Sequence, residues 1–405
     1  MEELFEKSVR DVGMLYSFSE EEKKMLANAD KAAEEMAMHE FESYLKHETN
    51  MEAPKIAAKY GLLGIPIKKE YGGSEMHPLV AVLAKERLGQ LGMSFSSFYN
   101  VQVLLCGKSI QRWGTEKQKK THLKDIVNAD KIFAFGLTEP EAGSDPGSLS
   151  MTYEEKDGKF VLNGTKYLIS NGTIADYIIL FAKSKDGGKI TSFIADAKNP
   201  GLARTQLKEK IGLFSSDTGM LEFSSFEVDK EDILGEEGKG MHVAYSALMN
   251  GRMGVASGCI GIIEGCLSAS VKRARERVQH GKAIGKHQLV QEHIAEIRQN
   301  LEMARWPVYF AAMKEKEYEM DISNKELMKD TDFRISLAKR IASRRAFDSA
   351  DRAVQIFGGF GYSLLSPVGP LFCDSRVARI YEGTDEIQEL KIASAVLGEE
   401  FSAFR

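Results

Sequence analysis

The hydrophobic period of this chain changes twice, near Lys131 and near Gly235, and those changes limit what 405 residues can fold into. Before Lys131 the pattern is helical. Glu20 to His47 is rich in Ala, Glu, Lys and Met, all good helix formers, and the first proline is Pro54. Ser19-Glu-Glu-Glu22 has capping-box spacing. Pro78 to Leu91 and Glu116 to Asn128 are predicted as further helices. From Lys131 to about Leu234, short β-rich runs alternate with Gly, Asn and Asp turns. Lys159-Phe-Val-Leu-Asn163, Tyr177-Ile-Ile-Leu-Phe-Ala182, Ile190 to Ile194, Gly219 to Phe223 and Phe226 to Val228 predict an all-β module, a small barrel or sandwich. After Gly235-Glu-Glu-Gly238-Lys-Gly240 the helical period returns. Met241 to Val278, Leu289 to Lys316, Ser323 to Phe357 and Glu386 to Leu397 give about four long helices. The expectation is an α+β multidomain chain: an N-terminal helical domain over 1–130, a middle β-barrel over 131–235 and a C-terminal four-helix bundle over 236–405.

Charge and cysteine usage narrow the function classes. A formal net charge of −5 gives no support for nucleic-acid or anionic-membrane binding. Cys106, Cys259, Cys266 and Cys373 are scattered and lack metal-ligand spacing, so no metal site is expected and the thiols read as buried in a reducing compartment. The start, Met-Glu-Glu-Leu-Phe-Glu-Lys, lacks the basic and apolar regions of a signal peptide, and no stretch reads as apolar for long enough to span a bilayer. A cytoplasmic protein is expected. No G-x-G-x-x-G fingerprint follows a strand, so a dinucleotide fold is not indicated.

Ile380-Tyr-Glu-Gly-Thr384 is the most informative segment for chemistry. Apolar neighbours disfavour a charged carboxylate and raise its pKa, as a general base needs. Gly383 lets the backbone approach a ligand closely. The same residues also read as a helix start, with Thr384 as N-cap and Glu386 and Glu389 following.

Together with four other segments, this pentapeptide resembles the acyl-CoA dehydrogenases. Phe135-Gly-Leu-Thr-Glu-Pro-Glu-Ala-Gly-Ser-Asp145 resembles that family's flavin-binding segment. Gln355-Ile-Phe-Gly-Gly-Phe-Gly-Tyr362 resembles its glycine turn near the flavin diphosphate, and Arg277-Val-Gln-His-Gly-Lys-Ala-Ile-Gly-Lys-His-Gln288 its Arg-x-x-Phe-Gly…Gln stretch. Glu70-Tyr-Gly-Gly73 matches a short family loop, and the order and spacing fit from about residue 50 to 398.

The resemblance implies FAD-dependent α,β-dehydrogenation of an acyl-CoA thioester, with Glu382 taking the α proton and flavin N5 the β hydride. It implies that the Glu382 backbone N–H helps bind the thioester oxygen, and that Arg252, in Leu248-Met-Asn-Gly-Arg252, serves beside the catalytic loop. Phe135, Leu137, Thr138, Gly143 and Ser144 would hold the flavin, Ser144 also facing the CoA arm. Leu168 and Ser170 would lie by the flavin ring. Arg277, Gln279, His280, Gln288, Gln355, Gly358 and Gly359 would meet a flavin held by a neighbouring subunit, and Thr384 and Glu386 complete the cofactor set. Met249 and Gly383 join Ser144 and Arg252 on the substrate side. A shared site implies a homotetramer, and an electron-transferring flavoprotein is the partner implied.

The chain departs from the family pattern at several points. Some members place the base immediately before the bundle arginine; here that residue is Gly251, which leaves Glu382 as the carboxylate at either family position. Leu168 stands where the family usually has Trp, which leaves the electron acceptor open. His280 replaces the usual Phe, Glu389 the usual Arg, and Cys373 the Arg often found before Asp374; Met249 stands where a polar residue often meets the CoA arm. Ser96 lies about where the glutaryl-CoA branch has its carboxylate-binding arginine, although Asp145-Pro-Gly-Ser148 resembles that branch and Gly251 the short-chain members. An acyl-CoA oxidase or flavin monooxygenase on the same fold, or a catalytically silent acyl-CoA-binding relative, remains in competition. A nitroalkane-oxidising relative would be expected to carry Asp at position 382.

Overall fold

A computed structural model of the chain describes residues 16–403; the N-terminal heptapeptide read above lies outside them. Helix α1, Glu20–Lys46, begins at Ser19, whose hydroxyl accepts from Glu22 N while Ser19 N donates to the Glu22 carboxylate, the expected reciprocal cap. Helix α2 is Glu52–Lys59 and α3, Pro78–Gly89, is buried along nearly its whole length. A continuous helical rod follows: α4, Met93–Tyr99, a π-helical stretch over Asn100–Gly107, and α5, Lys108–Trp113. Such π stretches shift side chains off the α register and recur at functional sites. Helix α6 is Glu116–Asn128.

Seven strands form one curled sheet: β1 Phe133–Gly136, β2 Thr152–Lys156, β3 Lys159–Ser170, β4 Tyr177–Ser184, β5 Ile190–Asp196, β6 Leu202–Gln206 and β7 Thr218–Val228. Strand β4 pairs antiparallel with β5 on one edge and parallel with β1 and then β2 on the other. Strands β2, β3, β7 and β6 continue the sheet with antiparallel pairing. The β3–β7 register breaks between Lys166 and Ile169, and within the break Leu168 is 54% exposed with φ +57. A left-handed backbone costs a non-glycine residue about 1–2 kcal/mol, so the bulge holds Leu168 in place against local preference.

Helix α7, Gly240–Glu276, leads through a small hairpin (β8 Val278–Gln279, β9 Lys282–Ala283) to α8, Gln288–Met320, and α9, Lys325–Phe357. Short α10, Gly369–Ser375, and α11, Asp385–Leu397, complete the helical part. Glycines at 251, 254, 258, 261 and 265 form one stripe along α7. A Cβ at Gly261 would fall 2.3 Å from Glu86 O, so α3 and α7 touch backbone to backbone. By length and composition α7 is apolar enough to cross a bilayer, which corrects the sequence expectation; 83% of its apolar window is buried, and core packing accounts for that character. The three regions meet at Asp374, which accepts from Tyr44 Oη (2.7 Å), Met93 N (2.8 Å) and Leu213 N (2.7 Å). Cys106, Cys259 and Cys266 are buried free thiols, whereas Cys373, beside this junction, is only half-buried.

Candidate active site

A tight turn between Arg379 and α11 delivers Glu382. Glu382 has φ +55 and Gly383 φ +92, two successive left-handed residues that only the glycine adopts without strain. The turn is held by its carbonyls. Arg252 Nε donates to Glu382 O at 3.2 Å, and Lys339 Nζ (2.7 Å) and Gln388 Nε2 (3.0 Å) donate to Gly383 O. Arg252, 5% exposed, also pairs with Asp332 at 3.0 Å. Thr384 caps α11 by accepting from Ile387 N at 3.3 Å, as the helix-start reading expects.

The Glu382 carboxylate folds inward over α7. A Cβ at position 251 would lie 2.5 Å from its Oε2, so glycine at 251 makes room for the carboxylate. Oε1 accepts from Asn100 Nδ2 at 3.0 Å, while Oε2 is shut from solvent and has no hydrogen-bond partner among the described residues. Burial pushes the carboxyl up to about 7, against the lowering effects of Arg252, Lys339, Asn100 and Lys85. A carboxylate with one anchored oxygen, one unpaired oxygen and an affinity for protons near neutrality has the properties of a general base. The Glu382 backbone N–H donates to no group among the described residues.

A cavity of about 440 Å³ lies between α3, α5, α7 and the end of α8. Met249, Asn250, Met253 and Gly254, which flank Gly251 on α7, form one wall, with Lys85 and Leu104 opposite. Met249, called for the substrate side, is therefore in the wall.

The residues expected around the flavin fall into two groups. Thr138, Leu168 and Ser170 come together because Tyr167 N, in the β3 bulge, donates to Thr138 O at 2.9 Å. Ser170 Oγ lies 3.4 Å from Ser97 Oγ of α4. Gly143 and Ser144 are exposed, and a Cβ at Gly143 would meet nothing within 4 Å. Phe135 and Leu137 are core side chains, Phe135 against Phe181 at 5.0 Å, which limits them to main-chain contact with a ligand. The second group, Arg277, Gln279, His280, Gln288, Gln355, Gly358 and Gly359, is exposed around the hairpin and the end of α9. Arg273 stands there with its guanidinium over Phe357 and Phe360. Glu386 is exposed in the first turn of α11, and Glu389 pairs with Arg340. Sequence reasoning missed Lys85, Asn100 and Lys339. The signal for Lys85 was a lone cation in the apolar run Val80-Ala-Val-Leu-Ala-Lys85.

Known proteins share this sequence pattern and fold. The N-terminal, middle and C-terminal domain models of acyl-CoA dehydrogenase match residues 19–130, 134–226 and 238–397. An acyl-CoA dehydrogenase of Bacillus subtilis (strain 168) is 38% identical over 85% of this chain and 89% of its own length. The chain belongs to the acyl-CoA dehydrogenase family. Butyryl-CoA dehydrogenase from Megasphaera elsdenii superposes with a TM-score of 0.88 at 34% identity, covering 95% of this chain and 100% of that one. An acyl-CoA dehydrogenase of Bacillus anthracis, solved with FAD, gives 0.87 at 29% identity over 94% of this chain and 67% of that one. An acryloyl-CoA reductase (NADH) from Anaerotignum propionicum is 36% identical over 85% of this chain and 86% of its own length.

The chain is thus an FAD-dependent oxidoreductase of the acyl-CoA dehydrogenase family. Its own residues fit the cofactor. The Thr138 and Ser170 hydroxyls and the open main chain at Gly143 and Ser144 suit a flavin ring and a diphosphate, which need donors and close backbone approach.

Proposed function

We propose that this acyl-CoA dehydrogenase oxidises an acyl-CoA thioester to its α,β-enoyl form, with Glu382 as the base. Glu382 Oε2 takes the α proton, the C–H electron pair becomes the Cα=Cβ bond, and a hydride leaves the β carbon. FAD, when bound by Thr138, Ser144, Leu168 and Ser170, supplies the two-electron acceptor. The Glu382 N–H donates to the thioester oxygen as negative charge develops there. Arg252 and Lys339 hold the turn that carries both groups. One observation carries the reading: a single carboxylate, raised to about 7, sits over Gly251 with Oε2 unpaired.

The rest of the reading follows from the same residues. Helical, sheet and helical domains meet near residues 130 and 235. The exposed group from Arg277 to Gly359 serves the flavin of a neighbouring subunit in a homotetramer, and the enzyme works in the cytoplasm. Electrons leave to an electron-transferring flavoprotein across the face that carries Leu168. The reductase among the relatives favours a second reading, in which the same groups run in reverse: protonated Glu382 delivers the α proton to an enoyl-CoA. Anaerobic titration with a panel of acyl-CoA thioesters tests the proposal: flavin absorbance bleaches with one chain class and returns slowly when air is admitted. No bleaching by any saturated thioester, with turnover only from reduced flavin and an enoyl-CoA, would replace dehydrogenation by reduction. Fast return in air would promote the oxidase reading.

A further inference from the structure

We propose that Asn100 and Lys85 are positioning residues for Glu382: Asn100 pins one carboxylate oxygen so that the other faces substrate, and Lys85 orients the Asn100 amide and supplies positive field. The proposal rests on the reading of Glu382 as the base.

The geometry is a short chain of contacts across three helical elements. The Asn100 amide lies in the π-helical stretch and is fully used. Its Nδ2 donates to Glu382 Oε1 at 3.0 Å and to Gly251 O at 3.1 Å, and its Oδ1 accepts from Lys85 Nζ at 3.2 Å. An amide with both ends engaged cannot flip without losing hydrogen bonds in a buried place. Lys85 donates its other bond to Ser96 O at 3.2 Å. Its side chain is 2% exposed, lines the substrate cavity, and forms no ion pair among the described residues. A buried ammonium without a carboxylate partner is costly, and structural lysines are ordinarily paired. Here the carboxylate it reaches is Glu382, through one amide. Gly254 makes the contact possible, because a Cβ there would fall 1.8 Å from Asn100 Oδ1 and 2.9 Å from Lys85 Nζ.

The surroundings set the sign. Facing Glu382 are Arg252 from α7, Lys339 from α9, itself beside Asp385, and Lys85 from α3. The thiols of Cys106 and Cys259 and the Tyr381 phenol are pushed up by burial and stay protonated near neutrality. The Tyr99 ring lies 5.2 Å from Lys85 Nζ. Burial lowers Lys85 to about 7, and the Glu382 charge opposes that lowering, so the charged pair is favoured over either charge alone. Removing Lys85 or Asn100 therefore raises the affinity of Glu382 for its proton.

The test is the pH dependence of anaerobic flavin reduction by saturating acyl-CoA in wild type, Lys85→Met, Lys85→Arg, Asn100→Leu and Glu382→Gln, with FAD content and acyl-CoA binding as checks of folding. Lys85→Met and Asn100→Leu are expected to move the acidic limb alkaline by about one pH unit, which is about tenfold in rate below the limb. Lys85→Arg restores the wild-type limb. Lys85→Met and Asn100→Leu proteins that lose FAD or stability but keep the wild-type limb assign the pair a packing role and overturn the inference, leaving the base reading intact. Near-normal reduction by Glu382→Gln overturns both.

Discussion

Among the carboxyls whose proton affinity burial has raised, Glu264 and Glu382 are held in opposite ways. Glu264 on α7, raised to about 8, lies with Glu86 of α3 around Arg305 of α8. Arg305 donates to Glu86 Oε1, Tyr309 Oη donates to Glu86 Oε2 at 2.6 Å, and Gln90 Nε2 donates to Glu264 Oε2 at 3.0 Å. Neither carboxylate borders the 440 Å³ cavity. Glu382, over Gly251 of the same helix, keeps an unpaired oxygen, meets its cations at one remove through backbone carbonyls or an amide, and is linked by Asn100 to Lys85 in that cavity's wall. A perturbed carboxyl is therefore a candidate for chemistry where an oxygen is left without a donor and its partners reach a space a substrate can enter.

The first way to break the comparison is Arg305→Met. It should strand Glu86 and Glu264 in the core without their cation, costing about 3–5 kcal/mol of stability, with the loss smallest at acid pH, where Glu264 keeps its proton. Thermal melts of the FAD-loaded protein at several pH values read this out; a melt close to wild type would mean that Arg305 does not hold the cluster together. Gly251→Ala should do the reverse, sparing the fold more than the chemistry. Its Cβ would sit 2.5 Å from Glu382 Oε2, and a displacement of about 1 Å at a reacting group costs on the order of 10²-fold in rate. Flavin reduction in stopped flow would show it, and an undiminished rate would mean that Oε2 is not the reacting atom.

Linkage separates the two sites by pH. The folded-state affinity of Glu382 for its proton is raised, so the native state binds that proton where the unfolded chain has released it. Its contribution then favours the fold at acid pH and is lost as pH rises from the ordinary carboxyl range through about 7. Denaturant unfolding of wild type and Glu382→Gln across that window should give a shallower decline for the variant. Parallel curves would place the shift elsewhere.

Why the sequence disclosed some of this and not the rest follows from the residues. The three-part organisation was readable because Glu20–Lys46, α7, α8 and α9 are long and carry good helix formers, and because β4 and β5 are compact apolar runs between turns. The rod from Met93 to Trp113 was not. It is buried on nearly every side, so it has no amphipathic stripe, and its serines, valines and Gly107 are weak helix formers. Strands β1, β2 and β6 are short, and β2 and β6 carry mostly polar residues. Glu382 was legible as a candidate through its motif. Asn100 and Lys85 were not, because their approach to it depends on α3, the π-helical stretch and α7 coming together at glycines far apart in the chain.

The smallest expected effect is at Leu168, on the face proposed to pass electrons. Leu168 is exposed in its bulge and offers no π system. Leu168→Trp should raise reoxidation by an electron-transferring flavoprotein and leave reoxidation by a soluble dye unchanged. Equal rates for both proteins with the flavoprotein would make position 168 a packing position alone.

The central claim is that Glu382 is the base, and single-turnover reduction of the bound flavin by acyl-CoA in Glu382→Gln tests it most directly. The amide matches the carboxyl in size and cannot accept the α proton. With FAD and thioester still bound, reduction should slow by on the order of 10²- to 10⁴-fold, and the wild-type rise in rate with pH through about 7 should vanish. Reduction within a few-fold of wild type, with the same pH limb, would contradict the account and place the base on another residue.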